Sequence, residues 1–272
     1  MKITKGKIIL LILVVYFSIF AVINVNKEKK INKDILDKVV YVLDGKLDKK
    51  NEGKLVLVSG KISYDNLVTF LELENFSTIK ITRKVEDYKK VEEDGETELK
   101  WVEREKPLEN NDNDFLKTIL SEEKVSKVSI GDYELDSHGL ELIPADRYYS
   151  KQEKIGDFTT TGIDYQRDPW EEDLKEGDIK LTYKYYDLEK HPNMSILATQ
   201  KGNSFIPYEY DKKSKIYQLF DHKVTNKKQL TKELKLNVKK TKKGKLLFIL
   251  MILGIGIVLI IDNRNSKKEG TK

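Results

Sequence analysis

Residues 54–62 read KLVLVSGKI, and they follow the polar prelude DKKNEG at 48–53. In an extended chain Leu55, Leu57 and Ser59 point one way and Val56, Val58 and Gly60 the other, so both faces are largely apolar. That is the pattern of a strand buried on two sides, entered from a loop-like prelude, and a β-rich domain is the expectation built on it.

The segments around it alternate in the same way. Ile79 and Ile81 alternate with Lys80 and Thr82, EEDGETE at 92–98 is a turn hinged on Asp94-Gly95, and residues 78–106 therefore predict a long hairpin with polar faces and Trp101 as its aromatic anchor. DIKLTYKYYD at 178–187 places Ile179, Leu181, Tyr183 and Tyr185 on one face of a strand. Residues 195–223 predict two or three more strands, joined at Lys201-Gly202-Asn203 and at 211–214. Residues 115–144 mix a short helix with one or two strands. Helical spacing occurs at Ile31, Ile35, Leu36, Val39 and Val40, ended by Asp44-Gly45, and again at Leu230 and Leu234 behind an Asn226 cap.

Both ends are apolar. Ile8 to Ile23 and Leu246 to Ile261 are uncharged, each about 16 residues or roughly 24 Å of helix, and lysines flank both. For the first run the rival is a cleaved signal peptide, but Ser18-Ile19-Phe20 and Ala21-Val22-Ile23 both lack the small residue a cleavage site needs in third place. The expected frame is a basic tail at 1–7, transmembrane helix 1 at 8–24, an extramembrane domain at 25–245 with a basic stalk at 226–245, transmembrane helix 2 at 246–262 and a polar tail at 263–272. The fold class expected is thus α+β and β-rich, a membrane-anchored domain between one N-terminal and one C-terminal transmembrane helix. Lysine counts favour a cytoplasmic domain, whereas long loops translocate largely regardless of charge.

Composition and motifs narrow the chemistry. Fifty basic against 45 acidic residues give a net charge of +5, which offers no warrant for nucleic acid as a partner. Zero cysteines exclude disulfides, thiolate metal sites and cysteine nucleophiles. His138, His191 and His222 lack ligand spacing, no G-x-S-x-G elbow occurs, and the 15 glycines are scattered singly. The acidic runs at 92–94 and 171–173 lack calcium-loop grammar and read as solvated loops. No cofactor, metal or catalytic residue is expected. Lys239, Lys240, Lys242, Lys243 and Lys245 are candidates for anionic lipid headgroups, or equally for snorkelling anchors of the stalk. Tyr183, Tyr185, Tyr186, Tyr208 and Tyr210 could line a pocket for a small molecule or lipid, although tyrosines at strand spacing are more often packing residues.

The order of the pieces, NEGKLVLVSGKI, IKITRKVEDYKKVEE, a tryptophan in a charged hairpin, GDYELDSHGL, EGDIKLTYKYYD and ILATQKGNSFIPY, resembles the transmembrane protein 43 (LUMA) family over roughly Asn51 to Leu246. The positions that carry the resemblance are Asn51, Glu52 and Gly53; Arg83, Val85, Glu86 and Tyr88; Trp101; Gly177 and Asp178; and Gln200, Gly202 and Pro207. The resemblance implies a large domain on the luminal or exported side of a membrane, self-association, and a non-enzymatic role as scaffold or organiser of membrane protein assemblies. Membrane lipids and other membrane proteins are then the partners expected. Lysine and asparagine richness suggests a bacterial version, an integral protein of the cell membrane with its domain exported. The single apolar run near the C-terminus departs from the several apolar helices of animal members.

Overall fold

The computed structural model describes residues 30–93, 95–108, 114–167, 174–211 and 214–234. These divide into two units. One comprises Val40–Val224, and the other contains the described residues 30–39 and 225–234.

Val40–Val224 is built on two sheets. The first holds β1 (Val40–Val42), β2 (Leu55–Tyr64), β6 (Val128–Ile130), β7 (Tyr133–Glu134), β13 (Asn193–Lys201), β14 (Ser204–Ile206) and β17 (Gln218–Phe220). The second holds β3 (Lys80–Glu93), β4 (Glu96–Glu103), β5 (Glu122–Val125), β8 (Arg147–Tyr148), β9 (Lys154–Ile155), β10 (Phe158–Thr160), β11 (Tyr165–Gln166) and β12 (Ile179–Tyr185). A separate ribbon pairs β15 (Tyr208–Asp211) with β16 (Ser214–Ile216).

Both sheets share a plan. A long antiparallel pair forms the middle, β2 with β13 in one and β3 with β12 in the other. Each long strand then carries two short strands end to end along its outer edge: β1 and β6 on β2, β17 and β14 on β13, β5 and β4 on β3, β8 and β11 on β12. The first sheet also rolls up. The Glu134 N–H donates to the Asn203 carbonyl at 2.8 Å and Ser204 Oγ donates to the Glu134 carbonyl at 2.9 Å, which brings β7 against β14. Gly60 sits in β2 beside the switch of partner to β6, where a Cβ would lie 3.2 Å from Ile130 Cγ2; the missing side chain makes room for the bend.

Burial follows the sequence alternation. Val56, Val58 and Ile62 of β2 pack with Val128, Ile130, Tyr133, Ile196, Ala198 and Phe205 in one core. Leu55 and Leu57 on the other face of β2 are buried as well. Val85, Leu181 and Tyr183 form a second core with Phe70, Tyr149, Phe158 and Tyr165. Removing one such aliphatic side chain from water contributes about 1.5–3 kcal/mol, so the two cores carry the larger share of the stabilisation.

Among the described residues helices are few and short: α1 (30–38), α2 (Asp114–Thr118), α3 (Ser137–Glu141) and α4 (227–234). In the smaller unit α1 and α4 run antiparallel, with Asn32 Nδ2 donating to the Leu234 carbonyl at 3.2 Å and Lys227 Nζ 3.3 Å from Asp37 Oδ1. Asn226 caps α4 through Oδ1, which accepts from the Gln229 N–H at 3.0 Å.

These observations correct the expected fold class. The described chain is β-rich with mainly antiparallel sheets, and no helix among the described residues is long and apolar enough to cross a membrane. The reason is length and composition: nine residues of α1 span roughly 14 Å, half of a hydrocarbon core, and five of its residues are charged. The runs expected as transmembrane helices, 8–24 and 246–262, lie outside the described residues, as do Lys239, Lys240, Lys242, Lys243 and Lys245. The flanking transmembrane helices, the transmembrane character and the integral membrane localisation, exported side included, are withdrawn with that frame.

Candidate functional site

The residues singled out in the sequence gather at two places. At the first, β2 begins from a turn that leans on β13. Asn51 is buried at the end of a short 3-10 turn, and Gly53 adopts φ +72°, a conformation that favours glycine. The Gly53 N–H donates to the Gln200 carbonyl (3.0 Å), and Glu52 Oε2 accepts from the Gly202 N–H (2.9 Å). Gln200 is buried and fully engaged: its Nε2 donates to the Asp48 carbonyl (3.0 Å) and its Oε1 accepts from the Tyr133 hydroxyl (2.9 Å). The turn, the strand and the hairpin after it are thereby fixed to one another across about 150 residues of sequence.

The second place is the root of the β3–β4 hairpin. Glu86 receives Lys84 Nζ at 2.7 Å and Lys180 Nζ at 3.1 Å. Burial alone would raise its carboxyl pKa, but hydrogen bonds and charge from the two lysines outweigh it and hold the group below the usual carboxylate range. Lys180 also lies over the Trp101 ring, 4.5 Å from its centroid, and Trp101 packs on Tyr88 with centroids 5.2 Å apart. The Tyr88 N–H donates to the Asp178 carbonyl (2.8 Å), and the Gly177 N–H donates to the Tyr88 carbonyl (2.9 Å). Glu86, Tyr88, Trp101, Gly177 and Asp178 are thus neighbours, and all of them brace the point where the hairpin leaves the sheet.

Arg83, three residues before Glu86 on β3, belongs to a partly buried polar knot that sequence reasoning did not assemble. Its Nη1 lies 2.6 Å from Glu72 Oε1, its Nη2 3.1 Å from Glu122 Oε2, and its Nε donates to the Leu120 carbonyl at 3.0 Å. Glu72 Oε1 also accepts from the Tyr183 hydroxyl at 2.9 Å. Burial, reinforced by the Glu72 charge, pushes the Tyr183 hydroxyl far above the ordinary tyrosine range; burial takes Tyr165 beside it up to about 12. Arg104, also missed, holds Asp87 through Nε and Nη2 and donates from Nη1 to the Leu116 carbonyl at 2.9 Å. Neither Glu72 nor Asp87 could be matched to its arginine from spacing, because each contact joins different elements.

The remaining candidates stay apart. Pro207 lies between β14 and β15 and joins neither cluster. Tyr183 and Tyr186 are core residues whose hydroxyls donate to Glu72 and to the His191 carbonyl, while Tyr208 and Tyr210 sit on the separate β15 ribbon. Two of the histidines do approach a common group: Asp221 Oδ2 is 3.6 Å from His191 Nδ1 and Oδ1 is 3.0 Å from His222 Nδ1. Among the described residues no group of three or more histidine, cysteine and carboxylate side chains is placed to hold a metal ion. The run 171–173 lies outside the described residues.

A family model described as transmembrane protein 43 matches residues 100–263, more than half of the 272-residue chain. The chain belongs to the transmembrane protein 43 family. The matched residues include Trp101, Gly177, Asp178, Gln200, Gly202 and Pro207, whereas Asn51, Glu52, Gly53, Arg83, Glu86 and Tyr88 precede them. Each cluster therefore joins family-matched residues to residues outside the match. No curated protein and no solved structure matches the chain.

Proposed function

We propose that this member of the transmembrane protein 43 family is a non-enzymatic scaffold whose β-rich unit holds copies of itself or other proteins together. The supporting observation is where the ionisable and aromatic groups go. Arg83, Arg104, Lys80 and Glu86 are buried or nearly so, and each is engaged by carboxylates, lysines or backbone carbonyls of distant elements, so they set the framework. Among the parts left on display is the outer half of the β3–β4 hairpin, where Lys89 and Lys90 of β3 and Glu96 to Leu99 of β4 are exposed. A two-stranded ribbon is marginal in water without further cover, and a scaffold supplies that cover by assembly.

The experiment is sedimentation velocity of the full chain over its whole accessible concentration range, with a mass measurement of the species formed. A concentration-dependent, stoichiometric assembly is the expected result. A chain that sediments as a monomer throughout overturns the self-associating form of the proposal. Turnover that is lost on substituting one of the histidines or Asp221 overturns its non-enzymatic form.

A further inference from the structure

We propose that the free edge of β4 is a self-recognition strand, pairing antiparallel with β4 of a second copy about a two-fold axis at Leu99. The inference rests on the scaffold reading only in naming a second copy as the partner; the surface and its register come from the strand itself.

β4 is the end of the eight-stranded sheet, and among the described residues it pairs only with β3. Which of its backbone groups face outward follows from the ladder. The Arg104 N–H donates to the Val85 carbonyl, and the register continues as Asp87 opposite Val102, Lys89 opposite Lys100 and Val91 opposite Glu98. Antiparallel pairs alternate between hydrogen-bonded and non-hydrogen-bonded, so those pairs use their amides within the hairpin, and the residues between them do not. Tyr88, opposite Trp101, confirms the phase: its N–H and carbonyl turn away from β4, to Asp178 and Gly177. Thr97, Leu99, Trp101 and Glu103 therefore present their N–H and C=O groups outward.

A second β4 must meet this edge with outward residues opposite outward residues, which leaves few central registers. Centring on Glu98 puts two glutamates face to face, and centring on Lys100 puts two lysines face to face; like charges directly opposite are destabilising. Centring on Leu99 puts Glu98 opposite Lys100 twice, Thr97 opposite Trp101 twice, and Leu99 against its own copy. The Glu98–Lys100 pairs fall at non-hydrogen-bonded positions, where side chains stand closest, and about six main-chain hydrogen bonds form between the copies. Leu99 is 40% exposed in the single chain, a large apolar side chain at the centre of a charged ribbon, and this register covers it. Mixed charges on an edge strand ordinarily discourage pairing. Here their order, Glu98-Leu99-Lys100, excludes the two adjacent registers, those centred on Glu98 and on Lys100, and favours the one centred on Leu99.

The absence of cysteine from the native chain makes the test clean. Single-cysteine variants of the full chain are oxidised and run without reductant. Leu99→Cys cross-links with itself, Glu98→Cys and Lys100→Cys each fail alone, and a mixture of those two cross-links, since only opposite residues bring Cα atoms within disulfide range. In sedimentation, Glu98→Lys abolishes the dimer and Glu98→Lys/Lys100→Glu restores it, which also shows that the substitutions, including the loss of the Lys100–Glu93 pair, leave the fold intact. A native dimer with no cross-link at Leu99, or one that Glu98→Lys leaves unchanged, overturns the β4 assignment while the scaffold reading stands. A native chain that never associates overturns the β4 assignment together with the self-associating form of the scaffold reading.

Discussion

Arg104→Met removes the cation from an ion pair enclosed in the domain. The Arg104 side chain is 1% exposed and grips Asp87, whose side chain keeps 18% exposure. Deleting one partner of a buried pair costs about 3–5 kcal/mol because the other charge is left without compensation. Asp87 retains some contact with water, so the lower end of that range applies; the Leu116 carbonyl also loses its donor, at about 1 kcal/mol. The sum is roughly 4 kcal/mol. For a unit spanning Val40–Val224, 1 kcal/mol corresponds to about 2–4 °C, so the midpoint of thermal unfolding falls by roughly 8–16 °C. Urea unfolding of native and variant chains at neutral pH measures the same loss as a shift in midpoint at constant slope. Adding Asp87→Asn to Arg104→Met removes the stranded charge and recovers about 1–2 kcal/mol. A loss below about 1 kcal/mol for Arg104→Met, or no recovery in the double variant, refutes the buried-pair account.

Gly131 and Gly202 make a paired prediction. Both adopt left-handed backbone, φ +62° and +61°, but a Cβ on Gly131 would lie 2.4 Å from the Gly45 carbonyl oxygen whereas one on Gly202 meets nothing within 4 Å. Gly202→Ala loses only the dihedral strain, about 1–2 kcal/mol, and Gly131→Ala loses distinctly more in the same chemical denaturation assay. Alkaline pH gives another. Tyr183, Tyr186 and Tyr217 have hydroxyl pKa values raised chiefly by burial, so the unfolded chain ionises at about 10 while the folded one keeps its protons. Their contribution is whole below that pH and lost as pH rises above it, and Tyr183→Phe makes the alkaline limb of a stability profile shallower.

What the sequence could show was periodicity. Residues 54–62 are apolar on both faces and residues 178–187 alternate, and both appear as the middle strands of sheets. The Asp94-Gly95 turn placed the long hairpin, whose register closes with Glu93 opposite Glu96. Long-range pairing left no such trace. The partner of β2 lies in β13, more than 130 residues on, and Glu72 finds Arg83 only because a loop folds back over β3. Short strands such as β8, β9 and β11 contain two residues each, too few for any period to register. The collinear motifs fared differently: they pointed to the family and to residues that meet in space, yet the contacts they make are structural. Apolar runs at the two ends suggested a transmembrane frame because hydropathy reports composition alone, and the described helices are short and amphipathic or charged.

The family match begins at Lys100, inside β4, and that boundary cannot be a folding boundary. Each sheet is organised on one central pair, and in each the first strand precedes residue 100 while the second follows it: β2 with β13, β3 with β12. A fragment starting at Lys100 would keep β12 and β13 but remove the strands to which both bond, leaving the buried rows Ile179, Leu181, Tyr183 and Ile196, Leu197, Ala198 open to water. The two sheets are also threaded by the same chain segment, since β12 leads directly into β13. Neither sheet can therefore form from the matched residues. A fragment covering 40–224 retains both pairs and should unfold cooperatively, whereas one covering 100–263 should show neither a cooperative transition nor dispersed amide resonances. Cooperative unfolding of the shorter fragment would mean that its strands find partners other than those of the native sheets. With every central pairing this far apart in sequence, loop closure precedes the contacts that reward it, and slow folding is expected of the intact unit.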